Sequence, residues 1–267
     1  MLITPCHPEP AVPRRVFITG ASSGIGAALA RYYASQGAQL GLAGRNRERL
    51  DAVVANLPCA CTAYMLDVRD AAALQQAAQD FMRKYGTPDI VIANAGVSRG
   101  TLTEHAEDIP AFRAIMDTNV LGMVHTFQPF LAAMRKQGRG TLAGIASMAG
   151  LRGLPGAGAY SASKAAAISY LESLRVELVD SGISVVTFCP GYIRTPMTDV
   201  NPYRMPFLME ADVAARKMAK LIERGKGFAI LPWQMGLIGR LMKLLPAPVW
   251  DWAMKNAPRK PRLIKWD

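Results

Sequence analysis

No run in this 267-residue chain approaches the roughly 18–20 apolar residues of a membrane-spanning helix. Cysteine is scarce: four residues in a chain of this length make no disulfide framework. Cys59 and Cys61 stand too close for ordinary zinc spacing and have no histidine or second cysteine pair beside them. Cys189 lies inside an apolar run and reads as a small buried hydrophobe. A reducing, cytoplasmic compartment is the simplest expectation. Tandem repeats and low-complexity arrays are absent, which excludes solenoids and fibres. Acids are the minority charge, leaving a net +11. Such an excess suits nucleic acid, an anionic membrane or a phosphate-rich ligand equally. No aromatic-plus-basic recognition module accompanies it, so nucleic acid is not an expected partner. Residues 1–13 carry Pro5, Pro8, Pro10 and Pro13 and no apolar core of signal-peptide length, and read as a flexible leader.

What is present is alternation. Residues 15–20 form a short β-branched, apolar run; glycines follow at Gly20, Gly24 and Gly26, and 27–36 has helical spacing. Strand, glycine turn and helix make the context of a phosphate-binding turn: the backbone comes close, and the helix N-terminus supplies unpaired N–H groups and a positive dipole end. A tight turn that binds nothing is the plain alternative. Strands are then expected over 38–43, 60–66, 89–93, 141–146, 183–189 and 228–231, and helices over 46–56, 70–85, 108–136, 160–181 and 210–224. Asp70 is the expected N-cap of its helix. The long helix over 108–136 carries Asn119, with a kink expected near Pro129. Strands separated by helices predict an α/β fold: a doubly wound parallel sheet of about seven strands, covered on both faces. Functional residues of such sheets gather beyond the strands' C-terminal ends. Gly20, Gly44, Asp67, Asn94, Ser147 and Pro190 all fall there.

At the end of the second strand, where a carboxylate would hold a ribose 2′-hydroxyl, the sequence has Gly44 followed by Arg45. A guanidinium clasps a 2′-phosphate that a carboxylate would repel, so NADP(H) is favoured over NAD(H). Arg47 and Arg49 read as decoration of the next helix.

Tyr160 and Lys164 are spaced to share one helix face. A fixed ammonium one turn away favours a phenolate and would draw the tyrosine toward the range of general acid–base work. Alone, the pair is more simply an aromatic ring covered by an alkyl stem.

Together these residues resemble the short-chain dehydrogenase/reductase family in its ordinary-length, Rossmann-type branch. The resemblance rests on Thr19-Gly20-Ala21-Ser22-Ser23-Gly24-Ile25-Gly26 (TGxxxGxG), Asp67-Val68, Asn94-Ala95-Gly96, Asn119, Ser147, Tyr160 with Lys164, and Pro190-Gly191 with Thr195. Ala93 departs from the family's usual asparagine. The glycine spacing is not that of the extended branch, GxxGxxG.

The resemblance implies hydride transfer between nicotinamide and a carbonyl or secondary alcohol. Tyr160 is then the acid/base, Ser147 the group that fixes the oxygen, and Lys164 the partner of the tyrosine and of the nicotinamide ribose. Asn119 would hold a water that returns protons. For the cofactor it implies contacts from Gly20, Ser22, Ser23, Gly24, Ile25 and Gly26 in the turn, and from Asp67 (adenine), Val68, Asn94, Ala95 and Gly96. Pro190, Gly191, Ile193 and Thr195 (carboxamide) complete that set, and no metal is implied. A homodimer or homotetramer is expected.

Residues 14–232 are expected to form one catalytic domain with a substrate lid over about 192–210. The lid holds Met197, Tyr203, Met205, Phe207, Leu208 and Met209, which suit a hydrophobic ketone or alcohol, or simply pack the lid down. Residues 233–267 read as an amphipathic extension with a basic, solvated tail. Over 233–257 tryptophans, leucines and cations suit docking on this protein or a second copy, with peripheral contact to a membrane surface as the alternative. A non-catalytic, NADP-binding regulatory protein is the competing reading of the whole chain. The set of Ser147, Tyr160, Lys164 and Asn119 argues against it, since a sensor has no use for a proton donor.

Overall fold

The structure, a computed structural model, describes residues 13–262. Nearly all of the expected leader, and Lys265 of the tail, lie outside them. The strands are β1 (Arg15–Thr19), β2 (Gln39–Gly44), β3 (Cys61–Met65), β4 (Ile90–Ala93), β5 (Gly140–Ile145), β6 (Ile183–Pro190), the short β7 (Ile193–Arg194) and β8 (Met209–Glu210), and β9 (Phe228–Leu231). Between and after them run α1 (Gly24–Ser35), α2 (Arg47–Val54), α3 (Ala71–Tyr85), α4 (Ile109–Met116), α5 (Gly122–Gln137), α6 (Gly158–Glu177), α7 (Pro196–Asp199), α8 (Ala211–Glu223), α9 (Trp233–Leu244) and α10 (Ala247–Met254). Seven strands form one parallel sheet in the order β3-β2-β1-β4-β5-β6-β9. The order reverses between β1 and β4, where Val16 pairs Ile90 and Phe17 pairs Val91.

The central strands are apolar throughout because both faces are covered. In β1, Val16 and Ile18 enter one core, with Leu29 and Tyr33 of α1 and Met218 and Ile222 of α8. Phe17, pointing the other way, enters a second core with Phe81 of α3, Phe127 and Phe130 of α5 and Leu171 of α6. Phe17 meets Phe81 edge-on at 5.5 Å. Gly41 on the neighbouring strand makes the room: a Cβ there would lie 2.5 Å from the Phe81 ring and 2.6 Å from Phe17.

Helix ends follow the expected chemistry in part. The Asp70 carboxylate accepts from Ala73 N at 3.0 Å, capping α3, and Gly138 closes α5 in the left-handed region at φ 67°. The helix expected over 108–136 does run through, with Pro129 inside α5. Residues Asp117–Leu121 form a π turn between α4 and α5, a feature that widens the backbone spiral and recurs at functional sites. Pro110 occupies the first turn of α4, where its missing N–H does no harm.

The basic tail departs from expectation. Residues 259–262 are not a solvated run; they lie against the segments after β4 and before α6. The extension before them also docks on its own chain. Met235 and Gly239 of α9 are buried, and Arg152 stacks its guanidinium 4.7 Å from the Trp250 ring centroid while donating to Leu245 O. Among the described residues no helix is long and apolar enough to cross a membrane.

Candidate active site

At the C-terminal edge of the sheet, over the reversal of strand order, opens a crevice of about 470 Å³. Every predicted site residue except Gly26 and Asn119 lines it. Those two support it from behind. A Cβ on Gly26 would stand 2.2 Å from Gly20 O and 2.5 Å from Asn94 Nδ2, so only glycine lets α1 begin this close to the strand ends. Gly20 itself has φ 65° and lies against Ala95. The turn is thus shaped by packing as well as left open on its crevice side.

Asn94 fixes that turn. Its Nδ2 donates to Thr19 O at 3.1 Å and to Gly20 O at 3.0 Å. It was expected as a cofactor contact; the amide is spent on the backbone that frames the crevice. Asn119 behaves alike. Its Oδ1 accepts from Val97 N at 2.8 Å, and its Nδ2 donates to Val97 O at 3.0 Å and Ser163 Oγ at 2.9 Å. The side chain therefore clamps β4's exit to α6.

One end of the crevice gathers Ser147, Tyr160 and Lys164. Ser147 lies just beyond β5, and its Oγ accepts from Ala149 N at 3.1 Å. Tyr160 stands in the first turn of α6, and Lys164 one turn on, its Nζ 5.8 Å from the Tyr160 ring centroid. Lys164 is 4% exposed and its Nζ donates to Ile145 O at 2.8 Å. The expectation that the ammonium depresses the phenol does not hold in this geometry. Burial pushes Tyr160 up, and a hydrogen bond with Ser147 opposes it only in part. Burial also pushes Lys164 down, to about 8, because a charged amine is poorly solvated there. Cys189 is fully buried, as expected, and its thiol is pushed up to about 12 by that burial.

The opposite end is cationic. Arg45 lines it with Arg49. Arg49 was expected to decorate α2, yet it stands in the first turn of that helix, whose side chains lean toward the N-terminus and so toward the crevice. The signal was available in Asn46, the N-cap, whose Oδ1 accepts from Arg49 N at 2.8 Å. Asp67 is the carboxylate here. Burial pushes it up, but Arg69, donating to it through its backbone and at 2.7 and 3.0 Å through its guanidinium, and Arg45 at 3.7 Å hold it below the usual carboxylate range. Sequence reasoning missed Ser98, Thr118 and Thr198 on the walls; none carries a motif of its own.

A dinucleotide fits these residues. α1 opens on the crevice with no acid in its first turn, and the Ser23 side chain makes no cap bond, leaving helix N–H groups and a hydroxyl for a pyrophosphate. Two guanidinium groups lie at one end and a tyrosine, serine and lysine at the other. Among the described residues no group of acids, histidines and cysteines could hold a metal.

Known proteins share this plan. The short chain dehydrogenase family profile matches residues 14–204. An uncharacterized oxidoreductase of Myxococcus xanthus is 39% identical over 248 residues, covering 91% of this chain and 97% of the relative. A 3-oxoacyl-[acyl-carrier-protein] reductase of Thermotoga maritima is 33% identical, covering 69% and 76%. Among solved structures, levodione reductase has a TM-score of 0.72 at 26% identity, covering 82% of this chain and 95% of that one. Actinorhodin polyketide ketoreductase with NADPH has a TM-score of 0.73 at 25% identity and the same coverage. With the glycine turn, the strand-end residues and the tyrosine–lysine helix all in one crevice, the chain belongs to the short-chain dehydrogenase/reductase family and is a nicotinamide-dependent oxidoreductase of the CH–OH/C=O type.

Proposed function

We propose that the protein is an NADP-dependent carbonyl reductase or alcohol dehydrogenase acting on a hydrophobic ketone or secondary alcohol. The observation that carries this is the polarity of one crevice: Arg45 and Arg49 at one end, Ser147, Tyr160 and Lys164 at the other. The crevice residues would hold a nicotinamide cofactor, which would supply or accept the hydride. Tyr160, whose burial favours the protonated phenol, donates its proton to the carbonyl oxygen as the carbon is reduced. Ser147 hydrogen-bonds the same oxygen and keeps it in line with the phenol. Lys164, its Nζ anchored on Ile145 O and one turn from the phenol, is the nearby cation that offsets the phenolate left behind. Both Nδ2 hydrogens of Asn119 are engaged and its Oδ1 accepts from Val97 N, so the residue would support proton return by holding the chain between β4 and α6 in place. Met197 and Val200 on the lid side of the crevice suit an apolar substrate body.

The preference for NADP(H) is supported by the two guanidinium groups and by Gly44 where a carboxylate would exclude a 2′-phosphate. Steady-state kinetics with NADPH and NADH over a panel of ketones tests both parts. NADPH is expected to give the higher kcat/KM, and Tyr160→Phe to lower kcat about 10²- to 10⁴-fold. Equal turnover by Tyr160→Phe would remove the mechanism, and a preference for NADH the role of Arg45.

A further inference from the structure

After α10 the chain returns to the mouth of the crevice as a strap. Pro261 O accepts from Gly100 N at 3.0 Å. Arg262 donates to Asp108 Oδ2 at 2.8 Å and to Glu107 Oε1 at 3.1 Å, and Arg99 Nε donates to Arg262 O. Asp108 is 4% exposed and also accepts from Leu102 N at 2.8 Å, so the anchor is set firmly into the fold. Gly100 is what admits the strap: a Cβ there would lie 2.2 Å from Lys260 O.

The strap brings one cation against two residues of the crevice wall, at the rim rather than in the lining itself. Lys260 Nζ donates to Ser98 Oγ at 3.2 Å and to Met197 O at 3.0 Å. Ser98 and Met197 both line the crevice that holds Ser147 and Tyr160. Ser98 follows β4 and Met197 belongs to the lid segment, which is the substrate side. Both partners of the ammonium are neutral, and it has a third N–H to give. Burial alone pushes Lys260 down, to about 8, with no carboxylate among the described residues drawing it back. A half-buried cation with neutral partners is an incomplete ion pair, and a ligand anion completes it.

We propose that Lys260 is a specificity-determining residue that selects carbonyl substrates bearing a carboxylate, gripping the carboxylate at the strap while the carbonyl meets Ser147 and Tyr160. The proposal rests on the reductase reading above and narrows its substrate class: an apolar oxo acid rather than a neutral ketone. A single ammonium with one spare donor suits a carboxylate, whereas the crevice's phosphate-binding chemistry lies at the guanidinium end.

The test compares oxo acids with their neutral esters as probes: benzoylformate and levulinate against their methyl esters, with NADPH. The wild type is expected to favour each acid in kcat/KM. Lys260→Met is expected to lower kcat/KM for the acids about ten- to a hundred-fold, mainly through KM, and to leave the esters unchanged. Lys260→Arg should restore much of the acid preference. An equal fall for acid and ester would make the lysine a structural tie and overturn the proposal, as would no change in either. A weakened NADPH dissociation constant, read by fluorescence titration without substrate, with an unaltered acid-to-ester ratio would assign the ammonium to the cofactor and also overturn it. If Lys260→Met does not fold, the wild-type ratio decides: preference for the esters ends the proposal while leaving the reductase reading intact. Absence of any carbonyl reduction by the wild type would instead overturn that reading first.

Discussion

Tyr160 and Lys164 show how far a residue pair's chemistry depends on its surroundings. Spacing on a helix put the ammonium beside the phenol, and the fold kept them there, yet burial rather than mutual attraction sets the direction of both. For Lys164 the sign of the consequence is definite. Its ordinary value is 10.5 and burial lowers it to about 8. Below about 8 the native state carries a buried charge and bears the whole penalty. Between about 8 and 10.5 the native state releases the proton while the unfolded chain keeps it, so stability rises with pH; above that window the penalty is gone. The cofactor-free wild type should therefore be less stable than Lys164→Met by the largest margin near neutrality, and the margin should shrink by a few kcal/mol, at most about 3, by pH 10.5. Urea titrations of both proteins at several pH values measure it, and a pH-independent margin would contradict the buried-cation account. Comparing the two proteins cancels the tyrosines, which titrate in the opposite sense at high pH. The motif residues were legible because each has a chemical task at a fixed offset. Arg49 was not, because its role depends on the direction a helical side chain leans rather than on its spacing, and neither was the engagement of the Asn94 and Asn119 amides with backbone.

At the scale of elements, the alternation of strands and helices was readable because strands covered on both faces become continuous apolar runs, and β1, β4 and β6 are of that kind. The π turn left no such mark. Asp117–Leu121 has neither proline nor glycine, while Pro129, the visible suspect, is accommodated within α5. Gly41 is a second feature without a signature, since a strand glycine signals close approach without naming the neighbour. Here the neighbours are Phe81 and Phe17. Gly41→Ala is expected to overpack that contact and lower unfolding free energy by about 1–3 kcal/mol. Chemical denaturation would show the loss; an unchanged midpoint would mean that the aromatic pair yields freely. The site, some distance along β2 from the crevice edge, should keep its cofactor affinity in the same variant.

For the whole molecule the sequence suggested an amphipathic extension without saying which face was for what. The structure divides it. Met235 and Gly239 face inward, whereas Trp233, Leu237, Leu241, Leu244 and Trp252 face out, Leu244 80% and Trp252 71% exposed. Apolar side chains in such a group mark an interaction surface. Self-association through it is the expected outcome: sedimentation should show a dimer or tetramer, and Leu237→Glu with Leu241→Glu should shift it toward the monomer. A monomeric wild type that pelleted with anionic vesicles would place a membrane there instead. Arg240 and Lys243, on the same helix, would then face the headgroups.

The route of residues 259–262 was hidden because their partners, Gly100, Glu107 and Asp108, lie far back in the chain, and a cationic run by itself looks like a solvated end. That route has a practical corollary. Cutting the chain before Arg259 should release Gly100, Glu107 and Asp108 from their partners and bare the flank beside Ser98 and Met197, so assays meant to find this enzyme's substrate should keep the residues through Arg262.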